Sequence, residues 1–167
     1  MLSRPVQEAI NEHINRELYS AYLYLSMAAY SEAINLSGFA HWFRVQFREE
    51  VDHALKFFDF VNARGGRVTL QAIAQPPSDF GSPTDLFERT LTHEREVTEG
   101  IYRLHELAIR ENEHACLPLV QWFIAEQIEE EKTADQILQQ LKLVGDEGPG
   151  LFLLDQQLGA RTAAPEA

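Results

Sequence analysis

Apolar residues recur along most of the chain with the 3.6-residue period of amphipathic helices. The pattern predicts four long helices, which cover 3 to about 34, 37 to the glycines at 65–66, 83 to about 111, and about 115 to 144. A fifth, short amphipathic helix is predicted over 148–159. These elements form one domain over 1–158, and a flexible tail is expected over 159–167.

Proline and glycine mark the ends of these helices. Ser3 followed by Pro5, and Ser82 followed by Pro83, are typical of helix starts, where the missing N–H of proline costs nothing. Pro118 is tolerated because it falls in the first turn of the fourth helix. Gly145 then marks the end of that helix.

The lengths of the connections predict the topology. The joints between the first two and the last two long helices are only a few residues long, which favours antiparallel hairpins. The middle connection has about 16 residues and can span roughly 53 Å, whereas a helix of about 27 residues is roughly 40 Å long. The second and third helices can therefore be parallel. The predicted fold is all-α: a four-helix bundle with one long crossover and a short C-terminal helix.

Composition narrows the possible partners. The 167 residues carry a formal net charge of −12, with no basic patch that would suit nucleic acid. No apolar run is long enough to span a membrane, and the start of the chain does not read as a signal peptide. Cys116 is the only cysteine, so an internal disulfide and a cysteine metal cluster are excluded. A cytoplasmic location is the simplest expectation.

Polar residues of metal-ligand type interrupt the apolar stripe of every long helix near its midpoint. The segment EEVDH sits in the otherwise aromatic run FRVQFREEVDHALKFFDF, and comparable interruptions occur in the other three helices. The residues concerned are Glu17, Glu50, His53, Glu94, Gln127 and Glu130. Their spacing repeats, because 33 positions separate Glu17 from Glu50 and also Glu94 from Gln127. The two hairpins therefore look like related halves.

Each of these residues alone has an ordinary explanation, since a single glutamate on a helix usually reaches solvent. Four glutamates on inward faces are harder to explain, because like charges 4 Å apart repel by roughly 4 kcal/mol per pair at an effective dielectric constant of about 20. Protons or cations must neutralise them. Two divalent ions balance four carboxylates, and Glu50 and His53 can share one ion because residues at i and i+3 lie on the same helix face. Carboxylate and imidazole ligands on four helices are typical of di-iron bundles.

The segments NRELYSAYLYLSM around Glu17, REEVDH around His53 and QWFIAEQIEEEK around Gln127 resemble the non-haem ferritins of bacteria and archaea. The resemblance covers about 1–158. It implies a shell of 24 identical subunits that oxidises Fe(II) with O2 or H2O2 and stores ferric mineral inside.

Site roles follow from the same resemblance. Glu50 would bridge two irons, with Glu17 and His53 on one ion and Glu94 and Glu130 on the other. Gln127 would support the ligands or hold an oxygen species, and Tyr24 would hydrogen-bond a ligand or donate an electron. The acids implied for a third iron site are Glu49, Glu126, Glu129 and Glu130.

Two other functions remain open from the sequence. A retained di-iron oxidase or peroxidase of the bacterioferritin or rubrerythrin type would use the same fold. Haem is not expected, because the only methionines are Met1 and Met27 and neither lies on the second helix, and a cysteine-ligated iron module needs more than one cysteine. A signalling or structural bundle without metal is the other alternative, but it would have no reason to place acids at four core midpoints.

Overall fold

The computed structural model describes residues 2–162, which form five helices and contain no strand. The helices are α1 (Arg4–Ala33), α2 (Ser37–Ala63), α3 (Pro83–Arg110), α4 (Leu117–Val144) and α5 (Gly148–Gly159). The predicted all-α fold with four long helices and one short helix is confirmed, and the predicted ends are within about two residues of those observed.

Local chemistry accounts for most helix ends. At the start of α3, Ser82 and Asp85 form a capping box in which each side chain accepts a hydrogen bond from the other residue's backbone N–H. Asn35 after α1 and Gly65 after α2 adopt positive φ angles of 62° and 68°, which stop the helical path. Ser3 lies at the N-cap of α1 as predicted, but its side chain makes no capping hydrogen bond.

The crossover between α2 and α3 runs along the whole of α1. Side chains of α1 donate hydrogen bonds to backbone carbonyl groups of the crossover at successive positions along the helix. Asn11 donates to the carbonyl of Arg67, Ser26 to that of Pro77, and Tyr30 to that of Gly81. The crossover thus begins near the N-terminal end of α1 and finishes near its C-terminal end. Since α1 and α2 form a tight hairpin, α3 starts beside the N-terminal end of α2 and runs parallel to it, as the connection length predicts.

A polar layer divides the hydrophobic core into two clusters. The first cluster lies toward the C-terminal end of α1 and includes Tyr24, Phe43 and Phe87. The second lies toward the N-terminal end and includes Phe57 and Phe123, whose rings stack with centroids 4.1 Å apart. The buried members of the layer between them include the six predicted ligand-type residues Glu17, Glu50, His53, Glu94, Gln127 and Glu130. All six prove to be less than a tenth exposed, which places the candidate chemistry in the middle of the bundle.

The short helix α5 packs back on its own bundle. Its buried leucines, Leu151, Leu154 and Leu158, belong to the first core cluster. Asp155 accepts a hydrogen bond from the backbone N–H of Phe39 at 3.0 Å, so a side chain of α5 caps the start of α2. The backbones approach closely here because Gly38 has no side chain.

The tail predicted to be flexible from residue 159 begins with an ordered contact. Arg161 pairs with Glu49 at 2.6 Å, and its guanidinium carbon lies 4.5 Å from the centre of the Trp42 ring. Residues 163–167, the rest of that predicted tail, lie outside the described residues. Over 2–162, none of the helices has the length and apolar character needed to cross a membrane.

Candidate metal centre

Three side chains from α1 and α2 converge to form a candidate metal site. One ligand atom from each of Glu17, Glu50 and His53 lies within 4.8 Å of the others. His53 Nδ1 is 3.4 Å from Glu50 Oε2, as the i, i+3 spacing predicts. Among the residues that the structure describes, this is the one group of three or more such side chains at this spacing. Both carboxylates and the imidazole are buried, so a cation bound here would be shielded from water.

Aromatic rings hold the imidazole of His53 in place. The rings of Trp122 and Phe123 meet it edge to face, with centroids 5.5 and 5.6 Å away. Packing of this kind fixes the ring orientation and leaves the nitrogen beside Glu50 directed toward the acids. An ordered imidazole costs less conformational entropy when it binds a cation.

The opposite side of the layer is built from α1, α3 and α4. The Tyr24 hydroxyl donates a hydrogen bond to Glu94 Oε1. Gln127 Nε2 donates to the other carboxylate oxygen of Glu94 at 3.1 Å and to its backbone carbonyl at 3.2 Å. The Gln127 amide thus supports Glu94 from behind.

Glu130 receives its hydrogen bond from a residue on another helix. Gln46 Nε2 of α2 donates to Glu130 Oε2 at 2.5 Å. Gln46 is fully buried, and it lies four residues before Glu50 on the same helix face. Glu94 and Glu130 are close enough to the three-residue group for their charges to raise the pKa of Glu50, and each of the two carboxylates has its own hydrogen-bond donor.

Comparison with known proteins finds relatives over nearly the whole chain. A family model described as a ferritin-like domain matches residues 7–144. A bacterial non-heme ferritin of Bacteroides fragilis is 40% identical over 161 residues, which cover 96% of this chain and 100% of that protein. A bacterial non-heme ferritin of Staphylococcus aureus is 36% identical over 162 residues, covering 97% of this chain and 98% of the relative.

The chain belongs to the ferritin family.

Comparison with solved structures also identifies this chain as a ferritin. A structure described as an open pore ferritin from the hyperthermophilic archaeon Archaeoglobus fulgidus superposes with a TM-score of 0.96. That chain is 48% identical in sequence, and the match covers 97% of this chain and 100% of the other. Family membership and fold together support iron storage as the broad function.

Burial raises the pKa of every carboxyl group in the polar layer of this ferritin. For Glu17 the largest cause is burial and the next is the charge of Glu50. For Glu50 burial comes first, followed by the charges of Glu94 and Glu130. Burial also raises the pKa of Glu130 to about 8, against the opposing hydrogen bond from Gln46. Without a cation, the layer therefore holds protons at neutral pH.

Metal-free protein is expected to lose stability as the pH rises from 5 to 8. The folded chain keeps protons that the unfolded chain releases above a pKa of about 4.5, so the stabilising contribution is complete below that pH and is lost as the pH rises through about 8. For each proton that the folded chain retains, the free energy of unfolding falls by about 1.4 kcal/mol per pH unit over this range. Thermal melts of chelator-treated protein would show this slope, and Glu130→Gln should make it shallower. A stability that increases over this range would contradict the prediction.

Two of the acids implied for a third iron site form ion pairs in this structure. Glu49 forms an ion pair with Arg161 at 2.6 Å, and Glu129 forms one with Lys132 at 3.3 Å. Glu126 is half-buried on α4, one residue before Gln127. The third site stays a prediction.

Two residues of the site were missed by sequence analysis. Gln46 had a usable signal, because a glutamine on the apolar stripe four residues before Glu50 needs a polar partner in the core. Arg161 had none, because it lies in a short segment of Ala, Thr and Pro residues without periodicity.

Proposed function

We propose that this chain is a subunit of an iron-storage cage that oxidises Fe(II) at a di-iron centre inside each four-helix bundle. The observation that carries the proposal is the buried layer of four carboxyl groups and one imidazole at the midpoints of the helices. A bundle without metal would keep these acids protonated at a cost in stability. Two Fe(II) ions would neutralise four carboxylates and displace their protons.

Each half of the layer would hold one ion. Glu17 and His53 would bind the first Fe(II), Glu94 and Glu130 the second, and Glu50 would lie between the two. Iron is the substrate here, so the ligands must bind it and then release it. The half that contains Gln127 offers one imidazole fewer than a second Glu-x-x-His motif would, which favours release after oxidation.

The redox step balances with either oxidant. Two Fe(II) ions lose one electron each, and O2 takes both electrons with two protons to form H2O2. With H2O2 as the oxidant, the same two electrons and two protons produce two molecules of water. Tyr24 contacts Glu94 through its hydroxyl and can pass an electron or orient that ligand. Gln127 keeps Glu94 in place during the step.

Membership of the ferritin family supports assembly of this chain with copies of itself. The Archaeoglobus fulgidus relative is described as an open pore ferritin, which supports an arrangement of subunits around pores. Assembly of 24 chains of 19.1 kDa would give a particle of about 460 kDa. The charge of −12 on each chain would attract Fe²⁺ at low salt. Glu49, Glu126 and Glu129, together with Glu130, would hold a third ion on its way to the cavity. The cytoplasm is the proposed location.

Iron uptake beyond two ions per chain separates storage from a retained cofactor. Chelator-treated protein is given increasing Fe(II) in air, and the iron that co-elutes with the particle is measured. Storage predicts continued oxidation and a soluble particle near 460 kDa that carries tens of ions per chain. An oxidase or peroxidase that retains its di-iron centre as a cofactor would stop near two ions per chain, and a monomer without iron would favour a metal-free bundle.

A further inference from the structure

The residues that follow α5 turn back onto one face of α2. The Arg161 side chain donates from Nη1 to Gln46 Oε1 at 2.7 Å and from Nη2 to Glu49 Oε2 at 2.6 Å. Its guanidinium group also lies over the Trp42 ring. The backbone carbonyl of Arg161 accepts a hydrogen bond from His41 Nε2 at 2.7 Å. Side chain and backbone are therefore both fixed to the same helix.

This contact decides which way the Gln46 amide points. The carbonyl oxygen of Gln46 accepts from Arg161, so its NH2 group must face the other way, where it donates to Glu130 at 2.5 Å. Arginine carries only donors, so it selects this orientation and excludes the flipped one. A hydrogen-bonded chain thus runs from the end of the described structure to a carboxylate of the polar layer.

We propose that Arg161 is a positioning residue for the second iron ion, acting on Glu130 through the amide of Gln46. The inference rests on the proposed function and deepens it. Groups that hydrogen-bond a metal ligand orient it, and losing one typically lowers metal affinity about 10- to 100-fold. The first ion, on Glu17 and His53, has no such link to Arg161. Removing Arg161 should therefore weaken one binding step and spare the other.

Titration of chelator-treated protein with Zn(II) in a calorimeter tests this without redox chemistry. Wild type is expected to fill the two sites of the polar layer in separable steps, before any third ion binds at Glu49, Glu126 and Glu129. Arg161→Ala should weaken the second step about tenfold and leave the first unchanged. Arg44→Ala is the matched control, because Arg44 is an arginine of α2 that pairs with Glu32 at 2.7 Å, away from the polar layer. The control should titrate like wild type.

A double-mutant cycle tests the route through Gln46. Gln46→Leu should weaken the second step as Arg161→Ala does, and combining the two should add no further loss. The proposal is overturned if Arg161→Ala leaves both steps unchanged, if it weakens both equally, or if the two losses add. If the wild-type protein bound no Zn(II), the result would instead contradict the proposed function itself.

Discussion

Replacing Glu50 with glutamine should slow Fe(II) oxidation at least about 100-fold while making the metal-free protein more stable. Glu50 lies between the two predicted iron positions, and an amide cannot supply the negative charge that holds both ions. In the metal-free protein the same change removes a carboxyl group whose pKa is raised by burial and by the charges of Glu94 and Glu130. Relief of about 1 kcal/mol would raise the melting temperature by about 2–4 °C.

Oxidation is measured as the absorbance of ferric iron after Fe(II) is mixed with the protein in air-saturated buffer. Stability is measured by thermal melts in the presence of a chelator. Glu8→Gln is a suitable control, because Glu8 pairs with Arg4 on the surface of α1. It should change neither quantity. If Glu50→Gln oxidised iron at the wild-type rate, the bridging role of Glu50 would be wrong.

Substituting Gly38 by alanine should detach α5 and destabilise the chain by about 3 kcal/mol or more. A Cβ at this position would lie 1.7 Å from the backbone carbonyl oxygen of Asp155, and backbone atoms cannot swing aside as a flexible side chain can. The clash would separate Asp155 from the start of α2 and expose the buried leucines of α5. The melting temperature should fall by about 6–12 °C.

Gly100→Ala provides the matched comparison within α3. A Cβ there would meet chiefly the end of the Arg16 side chain at 2.8 Å, which can move, and alanine favours helix more than glycine does. The control should stay within about 1 kcal/mol of wild type. Size-exclusion chromatography of both variants would show whether docking of α5 is also needed for assembly. A Gly38→Ala variant as stable as wild type would exclude the tight approach of α5 to α2.

Much of the architecture could be predicted because helix period and connection length are local properties of the sequence. The crossover is long enough for α2 and α3 to be parallel, and the hydrogen bonds from Asn11 to Tyr30 along α1 confirm that arrangement. The polar layer could be predicted for a related reason. A glutamate on an apolar stripe conflicts with its surroundings, and four such glutamates near the midpoints of four helices indicate a shared site for cations.

Contacts between segments far apart in sequence were harder to predict. The sequence around Arg161 does not indicate that this side chain forms a hydrogen bond with Glu49, which is 112 residues away. Likewise, Gly38 follows a turn and reads as part of it, whereas its structural role is to admit the backbone of α5. Such roles depend on how two helices meet, and periodicity within one helix carries no information about the partner that it faces.

The most direct test is a crystal soaked anaerobically in Fe(II), with diffraction recorded on both sides of the iron absorption edge. Two anomalous peaks per chain are expected inside the bundle, one beside Glu17 and His53 and one beside Glu94 and Glu130, with Glu50 between them. A soaked crystal in which these carboxylates point to solvent, and no anomalous density lies between the helices, would contradict the central claim that iron neutralises the buried acids.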